Sequence, residues 1–364
     1  MSVVLLGPLA HPVLCLALGV SGQPVRLSGH LTGGAQAGID RGAWPALIPG
    51  EGDLTGLRVT PDPRLQRYAA VMGLEPKAIE GETVLGIGGP PGAPWDAAAW
   101  DAALAAEIAR QILDAPADAE PAHLAWRLPM IGIWAASRVR AGASPRSGGN
   151  IVAAREPGDV QVHERRQIAS GFFATDELVL SHRRHDGGMT YRMTREGFLM
   201  GDAVVLLPWD PVRDRVLVIE QFRPAPFLRG DPQPWLLEPV AGRVDAGESV
   251  EDAARREAQE EAALSVSRLF HAFDAYPSPG AVCEFLYQFV GIADLPDGVE
   301  GVHGLDGEAE DIRGHLLGRS DLTGMVLTGQ ITNGPLASLA LWLELSAPRL
   351  RAELAHAATG CPAA

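Results

Sequence analysis

Apolar and polar positions alternate in short runs through the first 95 residues. Residues 3–6, 25–30, 57–60 and 83–87 read as strands, bounded by Gly and Pro clusters such as Thr32-Gly33-Gly34 and Pro49-Gly50-Glu51-Gly52. The first 20 residues are apolar but lack a positive leading segment, and Gly7-Pro8, His11-Pro12 and Gly19 punctuate them. They predict a buried strand, a turn and a short helix, not a signal peptide. Residues 95–113 are Ala-rich with helical spacing; Asp96 stands at the expected N-cap, and Ile108 and Ile112 share a face. The polar stretch 141–150 reads as a linker and places a domain boundary at 150, giving domains 1–150 and 151–364.

The texture then changes. Apolar runs at 204–207 and 215–219 flank Pro208-Trp209-Asp210-Pro211, a hairpin signal. Residues 235–240 and 285–290 predict further strands and 249–262 a strongly charged helix. Residues 331–350 form a closing helix with Leu336, Leu339 and Leu343 on its apolar side. Strand runs with a few helices indicate an α+β fold or a mixed sheet flanked by helices.

Composition narrows the classes. At 364 residues, 46% hydrophobic and 21% charged, the chain is globular and long enough for two cores. Thirty basic against 45 acidic residues give a net charge of −15, which disfavours general binding to nucleic acid or anionic membrane. Arg carries almost all the positive charge, with Lys77 the single lysine. Cys15, Cys283 and Cys361 form no C-x-x-C pair and are odd in number, which fits a reducing cytoplasm. No uninterrupted apolar run reaches the length of a membrane span.

The candidate chemistry sits on the charged helix. Glu257 and Glu261 are four apart, about 5–6 Å between Cβ atoms, and Glu260 joins their side. Such like charges disfavour a helix slightly, and a hard divalent cation would reverse that. Arg256 can offset one carboxylate, Glu248 at the helix start being the first choice. Ala253, Ala254 and Ala258 offer a small face for packing on a sheet. Taken alone, the same pattern describes a solvated acidic helix face.

The full spacing resembles the Nudix box, G-x5-E-x7-R-E-U-x-E-E-x-G-U with U apolar. Gly242, Glu248, Arg256, Glu257, Ala258, Glu260, Glu261 and Leu264 match; Ala263 stands where the pattern has Gly. That glycine would end the helix in a left-handed turn, and Ala there costs on the order of 1 kcal/mol. Over about 155–355 the chain resembles the ADP-ribose pyrophosphatase branch, which includes tellurite-resistance-associated proteins. The carrying segments include Ser170-Gly-Phe-Phe173, Ile219-EQF-Arg223, Pro234-WLLEPVAG-Arg243 and 301–313.

This resemblance implies an α/β/α sandwich with a mixed sheet and hydrolysis of the ADP-ribose pyrophosphate to AMP and ribose 5-phosphate. It implies Mg²⁺ or Mn²⁺ held by Glu257, Glu261, the backbone carbonyl of Ala241 and Glu310, with Glu260 ligating through water. Glu308 is implied as the base that activates water, from an acidic loop suited to closing over substrate. Arg223 is implied as a phosphate contact, with Arg195 a weaker one, and Phe172 and Phe173 as adenine stackers. Ser278, Pro279, Gly280 and Glu284 would hold the terminal ribose. A homodimer is implied as well.

Three departures leave the substrate open. Thr194 and Leu199 stand where relatives carry an arginine and an acid, and Arg243 replaces a commonly apolar residue. Another nucleotide sugar or a dinucleotide remains an alternative substrate, and a non-catalytic nucleotide sensor an alternative function. Residues 1 to about 90 resemble the AIG2-like, gamma-glutamylcyclotransferase-type β-barrel through Leu6-Gly7-Pro8-Leu9, Ala43-Trp-Pro-Ala-Leu47 and Leu65-Gln-Arg-Tyr68. Ala69 follows where that family has its catalytic glutamate, and the nearest acid is Glu75. A methyl group cannot serve as the base, so the resemblance implies a degenerate domain without cyclotransferase activity.

Overall fold

The computed structural model describes residues 2–34, 39, 44–144, 151–304 and 311–359. The chain packs as two compact units, Met1–Gly201 with Asp245–Gly247, and Asp202–Val244 with Glu248–Ala364. The boundary expected at residue 150 therefore falls inside the first unit. The start of the expected linker, to Ala143, is helix; residues 145–150 lie outside the described residues.

The first unit runs β1 (Val3–Leu5), α1 (Pro12–Leu18), β2 (Gln23–Thr32), β3 (Ala46–Val59), α2 (Pro63–Met72), β4 (Pro76–Ile79) and β5 (Glu82–Leu85). It continues with α3 (Ala102–Asp114), α4 (Pro121–Trp126), α5 (Leu128–Ala143), β6 (Val160–Ser170), β7 (Ala174–His182) and β8 (Met193–Asp210), which passes into the second unit. The opening strand, turn and short helix are as expected. Pro12 starts α1, where its missing N–H costs nothing, and Gly19 ends it at φ 71°.

Five strands pair in the order β2-β3-β1-β5-β4, with β1 parallel to β5 and the other pairs antiparallel. Among the described residues β2 and β4 are edges, so this sheet is open and mixed, not the closed barrel that the AIG2-like resemblance implied. Helices occupy one of its faces instead. Leu14 and Leu18 of α1, Leu65 and Tyr68 of α2, and Ile108 and Ile112 of α3 pack with Val3, Leu5 and Val59. Helix α3 starts later than expected because Asp101, not Asp96, caps it, accepting from the Leu104 N–H at 2.9 Å. Asp96 instead closes a turn through the Ala98 N–H.

The second unit adds β9 (Arg215–Phe222), α6 (Pro224–Arg229), β10 (Trp235–Glu238), β11 (Val240–Arg243), α7 (Val250–Ala262), β12 (Arg268–Ala275) and β13 (Val282–Ile292). After these come β14 (Val302–His303), β15 (Ile312–Gly318), α8 (Arg319–Leu327) and α9 (Gly334–Thr359). Strands lie in the order β12-β13-β8-β9-β15-β14, with β10 beside β9 and β11 beside β8. The expected 204–219 hairpin forms with its turn after Asp210, which accepts from the Val212 and Arg213 N–H groups. The strand expected over 235–240 splits at Pro239, which lacks a ladder N–H: β10 pairs with β9 and β11 with β8.

Alternation along β8 and β9 builds two cores. Val204, Leu206, Leu217 and Ile219 face α7 and its alanines; Val205, Leu207, Val216 and Val218 face α9 through Leu336, Leu339 and Leu343. The result is helix on sheet on helix, as the resemblance implied. Among the described residues, no helix is long and apolar enough to cross a membrane.

Candidate active site

Helix α7 begins with Ser249, whose hydroxyl accepts from the Asp252 N–H at 3.1 Å, and Glu251 and Asp252 lie in its first turn. Negative charge there suits the helix dipole. The other end does not: Glu257, Glu260 and Glu261 crowd the last two turns with no basic residue in the final turn. Packing sets the helix's rotation. Ala253, Ala254, Ala258 and Ala262 bury against the sheet, and this carries Glu257 and Glu261 inward, to 9% and 3% exposure. Buried carboxylates are costly unless paired.

Each has a partner. The Ala241 N–H on β11 donates to Glu261 Oε2 at 2.9 Å. Arg256 Nη1 donates to Glu257 Oε1 at 2.7 Å and to Glu260 Oε2 at 3.0 Å. Its Nε and Nη2 grip Glu248 at 2.9 and 3.0 Å, and Nη2 also donates to the Arg243 carbonyl. One guanidinium thus ties the end of β11 to three carboxylates, and its hydrogen bonds to Glu248 first of all push its pKa up. The expected Arg256–Glu248 pair is present. Glu257 and Glu260 both reach Arg256, while Glu261 turns to the β11 backbone.

Gly242 makes the close approach possible. A Cβ at that position would overlap the Glu257 carboxylate. Ala263, in the pattern's glycine position, ends α7 in the left-handed region at φ 51°, and its N–H reaches the Ala258 and Gln259 carbonyls. The helix ends as the pattern requires, with the strain of a Cβ in that conformation.

Arg223 follows β9, and its Nε and Nη2 both bond Glu238 Oε2, at 2.8 and 2.7 Å. Glu238 is 4% exposed, and its other oxygen accepts from Asn333 Nδ2 at 3.1 Å. Glu284 on β13 is largely buried, which pushes its pKa up, while the Arg223 and Arg243 guanidinium groups pull it down less strongly. Arg223, Arg243 and Glu284 are thereby brought into one electrostatic neighbourhood. Ser278, Pro279 and Gly280 form the exposed β12–β13 turn, where the Ser278 carbonyl accepts from the Ala281 and Val282 N–H groups.

Three expected substrate contacts belong to the first unit. Phe172 is half-exposed in the β6–β7 turn, and Phe173 packs on Phe198 with ring centroids 5.1 Å apart. Arg195 lies on β8 opposite Leu178, with Nη1 donating to the Thr194 carbonyl. Glu308 and Glu310 lie outside the described residues. Among the described residues no three His, Cys, Asp or Glu side chains form a metal-holding group. The sequence reading missed Glu238, Asn333 and Gln221. Glu238 had a signal, as a lone acid in the apolar run 235–240. Gln221, 6% exposed, follows Ile219 on the α7 face, and its Nε2 has no hydrogen-bond partner among the described residues.

A family model described as NUDIX domain matches residues 200–328. The ADP-ribose pyrophosphatase of Escherichia coli (strain K12) is 43% identical over 197 residues, covering 54% of this chain and 93% of that protein. The ADP-ribose pyrophosphatase of Haemophilus influenzae is 34% identical over 195 residues, covering 53% of this chain and 89% of that protein. The GDP-mannose pyrophosphatase of Pectobacterium atrosepticum is 31% identical over 175 residues, covering 48% and 89%.

Proposed function

This chain belongs to the Nudix hydrolases, and we propose that it is the metal-dependent pyrophosphatase that splits ADP-ribose into AMP and ribose 5-phosphate. The observation that carries this reading is the pair Glu257 and Glu261, buried side by side against β11 at the end of a helix whose dipole opposes them. That arrangement opposes stability and makes sense as a charge trap.

The donor chemistry fits a hard divalent cation, because carboxylate and carbonyl oxygens suit Mg²⁺ or Mn²⁺. Glu257, Glu261 and the Ala241 carbonyl would hold it, with Glu310 from the acidic loop and Glu260 through water. Such a cation supplies neutralisation of the diphosphate and a lowered pKa for water. The chain's own residues do the rest. Arg256 fixes the carboxylates in place. Arg223 offers its guanidinium to a phosphate while Glu238 and Asn333 hold it in orientation. Glu308 takes the proton of the attacking water, whose oxygen joins phosphorus as the bridging P–O bond breaks. Phe172 and Phe173 stack on adenine, with Arg195 as a further phosphate contact. Ser278, Pro279, Gly280 and Glu284 hold the ribose, and the enzyme works as a homodimer.

A second reading keeps the chemistry and changes the substrate to another nucleotide sugar. Arg243 beside Ala241, Thr194 and Leu199 favour it, and a GDP-mannose pyrophosphatase stands among the relatives. In the first unit Ala69 lies on α2 and Glu75 is exposed, which supports a domain without cyclotransferase activity.

Purified protein incubated with ADP-ribose, GDP-mannose or ADP-glucose and Mg²⁺, with an EDTA control, tests this. Metal-dependent AMP release preferring ADP-ribose is expected. Preference for another sugar would favour the second reading, and no turnover on any would leave a nucleotide sensor. Glu261→Gln should lower turnover by roughly 10²-fold or more, beyond the 10–100-fold expected for a merely supporting residue. Full activity in that variant would overturn the metal assignment.

A further inference from the structure

The sheet of the second unit carries polar side chains on its other face as well. Glu220 of β9 has the parity of Val216 and Val218, and His315 and Leu317 of β15 pair opposite Val218 and Val216. These side chains therefore point to the α8–α9 side, away from α7 and its carboxylates. A cavity of about 420 Å³ opens there, lined from four directions: by Glu220, by Asp231 and Gln233 of the α6–β10 loop, by His315, and by Gln330 and Thr332 before α9. Trp235, 48% exposed, lines it too, with Leu236, Leu237 and Leu317 as its apolar part. The volume lies in the ~300–1,000 Å³ range of small-molecule sites.

The lining selects the ligand. Among the described residues no Arg or Lys lines the cavity, and two carboxylates do, so a phosphate or other anion is disfavoured. Both carboxylates are already engaged: Glu220 Oε2 with His315 Nε2 at 2.9 Å, and Asp231 with Arg229 at 3.6 Å and with the Gln233 N–H at 3.0 Å. A cation would have to displace these partners. An apolar ligand would strand the polar rim. What remains is an uncharged molecule that donates and accepts around its whole circumference, with one flat face for the indole. A nucleobase has its polar groups only along its edges; a sugar ring carries hydroxyls on all sides, each both donor and acceptor.

We propose that this cavity is a binding site for an uncharged sugar ring, on the opposite sheet face from the hydrolytic carboxylates. The ring stacks on Trp235, and its hydroxyls bond the Glu220–His315 pair, Gln233 and Thr332. The proposal does not depend on the ADP-ribose reading.

Saturation-transfer NMR on the full chain, with D-ribose, D-glucose and D-mannose as probes and adenine and inorganic phosphate beside them, tests it. A saturable signal from at least one sugar is expected, weakened at least fivefold in Trp235→Ala and unchanged in Glu261→Gln. Should Trp235→Ala misfold, Gln233→Leu and Thr332→Val change only exposed side chains and should weaken the signal in the same direction. Absence of any sugar signal, its survival in the cavity variants, or its loss in Glu261→Gln would overturn the proposal. So would adenine or phosphate binding that is lost in the cavity variants.

Discussion

At the residue scale, two positions set how the carboxylates can act. Gly242 is glycine because Glu257 occupies the space a Cβ would take. In Gly242→Ala the Glu257 side chain must move, and overpacking of this kind costs about 1–3 kcal/mol. We expect a lower melting temperature together with a drop in kcat larger than the change in KM; an unchanged kcat would separate the glycine from the chemistry. Glu284 is the second position. Its burial raises its pKa above the ordinary carboxylate value despite Arg223 and Arg243. A carboxyl whose folded pKa is raised stabilises the fold below the ordinary Glu range and loses that contribution as pH rises through the raised value. Glu284→Gln mimics the protonated form. The variant should therefore melt above the parent near pH 8, with the gap closing on acidification below the ordinary range. A variant less stable at pH 8 would show that the two arginines outweigh burial.

At the element scale, α7 was legible because its signals agree. Ser249 caps it, alanines repeat at helical spacing, and the box fixes Glu257 and Glu261 on one face. Arg256 joins this helix to Glu248, Glu260 and the Arg243 carbonyl. Arg256→Ala would leave Glu248, Glu257 and Glu260 without that guanidinium. Hydrogen bonds to charged groups contribute about 1.5–3 kcal/mol each in well-ordered sites; with the side chain 30% exposed, a total loss of about 2–3 kcal/mol is expected in urea unfolding. Arg256→Lys should recover only part, because an ammonium cannot reproduce the two-pronged grip on Glu248. Equal stability of all three proteins would contradict this. Elsewhere local signals compete. Asp96 stood at the expected cap, and the helix instead takes Asp101, with Trp100 and Leu104 buried on either side of its first turn. Pro239 splits one apolar run into two strands on different partners, a choice made by neighbours far away in sequence. Glu238 became visible as the anchor of Arg223 only once those partners were in place.

At the scale of the whole molecule, the second half was legible through its box and the first half far less so. The opening strands and helices were read from their apolar runs, but closure of a sheet depends on pairing between edges, which no local pattern reports. The same holds for the boundary. The glycine-and-serine-rich stretch near 150 is a composition signal, whereas a core is defined by what packs together. In the first unit Ala174, 1% exposed, belongs to the same apolar core as α3 and α5, and Phe173 and Leu199 pack against it. Arg127, 2% exposed at the start of α5, lies over the Trp134 ring and donates to Gln167 of β6 at 3.0 Å. His123 of α4 reaches the Ser170 carbonyl at 3.2 Å. A fragment of residues 151–364 would keep Arg256, Glu257 and Glu261 and lose α3, α4 and α5 with Arg127, His123 and Trp134. It would expose Ala174, Phe173 and Leu199 to water and remove the Arg127 charge that faces Asp176. The expected result is a fragment that melts below the full chain, or precipitates, in side-by-side thermal scans at equal concentration. A fragment melting at the temperature of the full chain would support the boundary at 150, and would mean that the shared core of the first unit contributes nothing to holding β6 and β7.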